Sequence, residues 1–376
     1  MKVNELKKSN DRRSSHLRVL AAMFFALFLT LSAAAPALAQ ALSDGEGNLR
    51  VMNYNVYEGA DLSPAFTTTN ITDFLKAIGA ILANVQATNP PARAQAIARQ
   101  IGKANPTLVS LQEVTEWKTC PATADLLGCA GPPTVLYDLL ILVKDALQAQ
   151  GLSYREVGHV ITNDLQAPAI TSAGPVIVFY TQRSAIFARS DIDPSILQTS
   201  NVQMAKFDAK LTVTTGAGDF TVHRAWISTD VRFHSHTFRL IDTQLDAFNP
   251  AKNYAQGEEL ISGPANTSMP VVISMDSNSP PNPSSNPFTS TYNNFLLHGF
   301  NDAWTETQGD AQGLTCCQDP TLANAVSQLY QRVDQILIRG DLGAKTVGLF
   351  GGQPSDRTNG LWPSDHLGVA ARLGTE

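Results

Sequence analysis

The sequence is poor in charge. Asp, Glu, Lys and Arg make up 16% of its 376 residues, and 33 acids face 27 bases, for a formal net charge of −6. The basic excess that a tight, non-specific nucleic-acid binder spreads over its surface is therefore missing. A hydrolase that needs only local phosphate contacts is not excluded by this. No internal repeat of solenoid period is visible. After residue 39 no apolar run reaches the ~20 residues that span a bilayer. The G-x-S-x-G elbow of many serine hydrolases is also absent, which leaves Ser364 as a turn residue. Cysteine is scarce: Cys120, Cys129, Cys316 and Cys317 are the full set, with no His or further Cys at zinc-ligand spacing.

The N-terminus is different in kind. Lys2, Lys7, Lys8, Arg12, Arg13 and Arg18 precede an apolar stretch over 19–31 and then the small-residue segment SAAAPALAQ. This order predicts a signal peptide, residues 1–39, cut after Ala39, and a secreted or periplasmic protein. The apolar stretch is short for a membrane anchor. Arg12-Arg13 leaves general secretion and twin-arginine export both open. Cleavage removes six bases and two acids, leaving 21 against 31 and a net charge of −10. Export and an even cysteine count suggest disulfides, with three connectivities possible. The short loop CPATADLLGC favours Cys120–Cys129, which leaves Cys316 and Cys317 as a vicinal pair.

Strand and helix signals alternate along the rest. Residues 48–57 (NLRVMNYNVY) read as a strand, 71–85 and 92–103 as helices, 107–114 (TLVSLQEV) as a strand and 135–151 as an amphipathic helix stopped by Gly151. The middle is β-rich, with strands expected over 174–181, 206–215, 219–228 and 236–245. A helix (251–263), a strand (269–276), an irregular loop rich in Pro, Asn and Ser (277–288) and two strands (331–340 and 366–373) complete the pattern. No composition shift marks a boundary, so residues 40–376 read as one α/β domain with several antiparallel neighbours.

Several expected strands end in a carboxylate or an amide. Asn55 follows RVMNY, Glu113 follows LVSLQ, Asp276 and Asn278 follow VVISM, Asp334 lies in RVDQILI, and Asp365 and His366 precede LGVAA. Any one of them caps a turn comfortably. Strand ends on one sheet edge converge, however. A converging set of Asn, Glu, Asp and His is a hard-metal site beside a titratable group. The pieces YNVYEG, LQEV, MDSN, RVDQIL and SDHLGV, in this order, resemble the endonuclease/exonuclease/phosphatase family of metal-dependent phosphoesterases. The resemblance implies a four-layer α/β/β/α sandwich, two packed mixed β-sheets flanked by helices, with the site at one end of the sheets.

It also implies roles. Glu113 would be the main carboxylate for Mg²⁺ (or Mn²⁺), Asn55 the amide at the metal's edge, and Asp365 a second metal-side acid. Asp276 would orient or deprotonate the attacking water, and Asn278 would bond a phosphoryl oxygen or that water. His366 would stabilise phosphoryl charge or donate a proton, with Asp334 holding its imidazole in one tautomer. Much of the family ends a middle strand in NTHL. Here the matching stretch is DTQL, with Gln244 where that His would stand. Gln donates a hydrogen bond but carries neither a proton for transfer nor a charge. His234 and His236 read as a solvent-facing turn, and nothing selects Arg224 or Arg232 as a phosphate contact.

Three functions stand as expectations. The first is an exported, monomeric, Mg²⁺-dependent phosphoesterase acting on phosphodiesters or phosphomonoesters. The second is a nuclease of the same family acting on DNA or RNA. The third is a binding module that has lost activity on this scaffold. The full metal-side set favours an enzyme, and the acidic charge argues against a long nucleic-acid groove. The sequence shows no aromatic lip of the kind a lipid substrate needs.

Overall fold

A computed structural model describes residues 49–375; the expected signal peptide, residues 1–39, lies outside them. Two mixed sheets form the centre. The first runs β15 (Leu342–Phe350), β16 (Gly368–Thr375), β1 (Leu49–Asn55), β2 (Leu108–Gln112), β6 (Gly174–Arg189), β3 (Glu116–Pro121) and β4 (Thr134–Asp138). Along the edge of β6 lies β5 (Tyr154–Thr171). The second runs β13 (Asn301–Asp302), β14 (Asp334–Arg339), β12 (Val271–Asp276), β11 (His236–Gln244), β10 (Ala225–Phe233) and β7 (Leu197–Lys206). The pairs β1/β2 and β11/β12 are parallel. A small ribbon, β8 (Leu211–Thr215) with β9 (Gly218–Val222), forms a separate sheet whose Phe220 stacks on Phe74.

The period of two along each strand sorts side chains between layers. Val51, Leu108, Ile186, Leu240, Val272, Ile338 and Val369 meet in the core between the sheets. Met52, Tyr54, Val109, Leu111 and Phe187 point the other way, onto the helices Pro90–Ala104 and Leu139–Ala149. On the second sheet Ile241, Ile273, Met275 and Leu337 pack against helices Pro250–Ser262 and Thr289–Leu297. The result is the α/β/β/α sandwich. A short helix, Ser63–Phe66, and the long helix Ile71–Ala87 cover an extension of the first sheet formed by β3, β5 and β6. Gly79 lets the long helix come close there, since a Cβ at that position would strike the Ile170 carbonyl.

Three expectations need correction. The helix expected over 135–151 starts later, at Leu139, because the preceding residues pair as β4 and Asp138 caps the helix by accepting from the Leu140 and Ile141 amides at 3.0 and 3.3 Å. The strand expected over 206–215 is two, ending at Lys206 and resuming at Leu211. The strand expected over 219–228 divides between β9 and β10. The 18-residue β5 forms where the sequence pattern predicts no strand. Its Pro168 and polar residues conceal it, and as an edge strand it tolerates them. The cysteines pair as Cys120–Cys129 and Cys316–Cys317.

Candidate active site

Along each central strand the residues facing the inter-sheet gap change from apolar to polar toward one end. The series are Val51, Asn53, Asn55 on β1; Leu108, Ser110, Gln112 on β2; Leu240, Asp242, Gln244 on β11; Val272, Ser274, Asp276 on β12; and, read backwards, Ile338, Ile336, Asp334 on β14. All are buried. Register brings the polar ends level, pairing Asn55 with Gln112 and Asp276 with both Gln244 and Asp334. Glu113 and Asn278 follow their strands with φ of 58° and 48°. Left-handed backbone at such residues is uncommon and concentrates at functional sites. Both side chains line a cavity of about 570 Å³.

Glu113 Oε1 accepts from Asn55 Nδ2 at 2.9 Å and Gln244 Nε2 at 2.6 Å, and Oε2 from the Glu58 amide at 2.9 Å. Asp276 Oδ2 accepts from the same two amides, each at 3.0 Å. The Asn278 N–H donates to Asp276 Oδ1 at 3.1 Å, and its Nδ2 to the Leu245 carbonyl at 3.0 Å. Asn55 Oδ1 receives the Tyr57 N–H at 2.9 Å, so both ends of this amide are engaged within the protein. Asp365 lines the same cavity. Burial pushes its carboxyl up to about 7; Glu113 and Asp276 add to the shift, while His366 and Arg93 oppose it. Glu58, bonded to the Tyr180 hydroxyl, is also raised, by burial and by Glu113. Crowded hard oxygens whose charge disfavours itself are a donor set that suits a hard divalent cation.

Asp334 Oδ2 lies 2.7 Å from His366 Nδ1, and Asp334 Oδ1 accepts from Asn53 Nδ2 at 3.2 Å. Burial lowers the imidazole pKa, but Asp334, Asp365 and Asp276 reverse this and carry it well above the usual value. Burial raises Asp334 to about 6 against the pull of His366. The pair is therefore an imidazolium and a carboxylate near neutrality. The segment around the vicinal cysteines holds it in place. Leu367 donates to the Thr315 carbonyl at 2.8 Å, Gln318 to the Asp365 carbonyl at 2.9 Å, and the Asp334 N–H to Thr315 Oγ1 at 3.2 Å. Ser364 Oγ donates to the Asn55 carbonyl at 2.8 Å and receives the His366 N–H at 3.1 Å, which is a turn-fixing role.

The structure thus gathers Asn55, Glu113, Gln244, Asp276, Asn278, Asp334, Asp365 and His366 at one end of the sheets. It also selects between the two arginines. Arg224 is buried in the cavity wall, its Nη1 donates to Gln244 Oε1, and its Nε has no protein partner. Arg232 bonds the Ser195 and His234 carbonyls, near the far end of β11, where His234 and His236 make the hairpin turn. Sequence reasoning missed a second polar layer beneath the site. Gln112 Nε2 donates to Asn53 Oδ1 at 2.8 Å and Asp242 Oδ1 at 2.6 Å, and Ser274 Oγ lies 3.4 Å from Asn53 Oδ1. Its signal was available: Asn53, Asp242 and Ser274 stand two positions from site residues on the same strand faces, and Gln112 immediately precedes Glu113. An aromatic rim was missed as well. Phe66 meets Phe248 edge-on with centroids 5.6 Å apart, Phe248 is 48% and Tyr330 67% exposed, and all three line the cavity.

No protein-family model and no curated protein sequence matches the chain. Solved structures do match it in fold. An endonuclease/exonuclease/phosphatase family protein from Bacteroides thetaiotaomicron aligns over 88% of this chain and 98% of its own, with 16% identity and a TM-score of 0.53. D. rerio TDP2 complexed with a single-strand DNA product aligns over 87% and 99%, with 15% identity and a TM-score of 0.52. A mannosyl-6-phosphatase of B. thetaiotaomicron aligns over 86% and 99%, with 16% identity and a TM-score of 0.50. The chain therefore has the endonuclease/exonuclease/phosphatase fold.

Proposed function

We propose that a protein with this fold and this cavity is an exported, divalent-metal-dependent phosphoesterase that hydrolyses phosphodiester or phosphomonoester bonds. One observation carries the reading: the Glu113, Asp276 and Asp365 carboxylates share a cavity with Arg224 and with His366, whose Nδ1 is held by Asp334 outside the lining. The fold neighbours named as a phosphatase and as TDP2 support the reaction class.

Glu113 and Asp365 would hold Mg²⁺ or Mn²⁺, which when bound supplies charge neutralisation at the phosphoryl oxygens. Asn55 holds the carboxylates in place, since its NH₂ bridges Glu113 and Asp276. Asp276 takes a proton from the attacking water as that oxygen bonds to phosphorus. The ester P–O bond breaks, and His366 gives the proton on its Nε2 to the leaving alkoxide while Asp334 accepts from Nδ1. Arg224, in the cavity wall, presents its guanidinium charge to the phosphoryl oxygens. It supplies the positive charge that Gln244 cannot, and the Gln244 amide links it to the two acids.

A nuclease reading has the DNA-bound TDP2 neighbour in its favour. Against it, Asp61 and Asp319 add acidic charge to the cavity lining, which repels a polyanion. The test is hydrolysis by the mature protein of plasmid DNA, choline phospholipid and small phosphoesters, with and without chelation. Hydrolysis of small esters that EDTA abolishes and Mg²⁺ or Mn²⁺ restores is the expected outcome. Full activity after thorough chelation would remove the metal from the reading, and no hydrolysis of any ester would end it.

A further inference from the structure

The catalytic cavity has an apolar neighbour. It lies between the segment 62–81 and the faces of β3, β5 and β6, and its lining is apolar apart from Gln166. Leu62, Phe66, Leu165 and Tyr180 line both spaces. Tyr180 is the junction: its hydroxyl bonds Glu58 on the catalytic side, and its ring packs on Trp117 at 4.8 Å. The Phe66–Phe248 pair sits at the rim of the same opening.

Protein interiors close-pack, and apolar space left open forfeits dispersion contacts on every side. A gap in a side core explains a void, but not one that shares four walls with a site full of polar groups. An apolar recess beside a few convergent polar groups is the usual anatomy of a small-molecule site. Its free volume of about 70 Å³ limits the guest. That is roughly half of an engineered cavity that holds benzene (~150 Å³), so it suits a chain of a few carbons and not a long acyl tail.

We infer that the preferred substrate is a soluble phosphoester carrying a short alkyl substituent, which enters this recess while the phosphoryl group lies against Arg224 and the Glu113–Asp276 pair. The inference rests on the phosphoesterase reading and adds the substrate class to it. Phosphate chemistry alone would accept any ester; the recess rewards apolar length and then stops rewarding it.

The experiment is a series of methyl alkyl phosphodiesters and the matching monoalkyl phosphates, alkyl running from methyl to hexyl, followed by ³¹P NMR with Mg²⁺ or Mn²⁺. Burial of one methylene is expected to raise kcat/KM about fourfold, so butyl should exceed methyl by roughly 60-fold, with no further gain at hexyl. Ala167, in the wall of the recess and outside the catalytic set, is replaced by Leu. Ala167→Leu should flatten the series while the methyl ester is still hydrolysed at the wild-type rate. Phe66→Ala enlarges the recess and should move the optimum to longer chains, a change of opposite sign that a folding defect does not produce. A flat wild-type series with the methyl ester hydrolysed overturns this inference and leaves the phosphoesterase reading standing. Hydrolysis confined to phospholipid vesicles overturns it too. Failure to hydrolyse any ester takes down both.

Discussion

Asp334→Asn tests whether His366 works alone or as half of a pair. The Asp334 carboxylate accepts on both oxygens, from His366 Nδ1 at 2.7 Å and from Asn53 Nδ2 at 3.2 Å. An amide has one oxygen for these two donors. If that oxygen faces Asn53, the new NH₂ faces Nδ1 and forces it to accept, which holds the ring neutral. If it faces the ring, two NH₂ groups collide at Asn53. Either way the charge that chiefly opposes the burial of the imidazolium is gone. The His366 pKa then falls from its raised position, and the alkaline limb of activity moves to lower pH.

The size follows from the role. A positioned acid–base group contributes 10²–10⁴-fold, so His366→Ala should cost at least ~10²-fold in kcat/KM. Asp334→Asn alone should cost a comparable factor at pH 8 and less at pH 6, where the ring is more easily protonated. Groups that act as one unit are not additive, so Asp334→Asn on the His366→Ala background should change little. The assay is kcat/KM for one defined phosphodiester across pH 6–9 for all four proteins of the cycle. Losses that multiply, or an alkaline limb that stays in place in Asp334→Asn, would refute the dyad.

Two further predictions concern the layers around it. Arg224→Ala should lower kcat by about 10²–10³-fold, the scale for one aligned transition-state donor, and Arg224→Lys should recover part of it because a point charge lacks the guanidinium fork. Gln244→Ala should cost less, through the loosened Glu113 and Asp276, and unchanged steady-state rates in Arg224→Ala and Gln244→Ala together would refute this placement of the charge. Asp242 is fully buried, and burial raises its carboxyl well above the usual range. The folded protein keeps this proton while the unfolded chain releases it above its ordinary pKa near 4, so wild-type stability falls as pH rises through that window, by up to ~1.4 kcal/mol per unit. Asp242→Asn removes this slope, so urea unfolding at pH 5, 6 and 7 should show the variant gaining on wild type at each step; parallel curves would count against a buried neutral acid.

Much of this protein is legible in the sequence, because some of its signals are local. Alternation along β1, β2, β11 and β12 reports strands that bury one face, and the polar residue closing each strand reports a site at one sheet edge. Asn55, Glu113, Asp276 and Asn278 are found by that rule, and Asp334, Asp365 and His366 by its mirror image, polar residues where a strand begins. The Cys120–Cys129 bond also follows from a short loop. Other features depend on which strands become neighbours. Val135 joins a strand and not a helix because β3 offers its edge. The long β5 is held by pairing along β6, which outweighs its Pro and Gly. Arg224 acquires meaning only when β10 lies beside β11, so that its guanidinium reaches Gln244. Phe66, Phe248 and Tyr330 form one rim although wide stretches of chain separate them. Periodicity is written into consecutive residues, so the sequence by itself determined the central strands and the acids at their ends. Which side chains share a cavity depends on contacts between distant segments, and those only the tertiary structure decided.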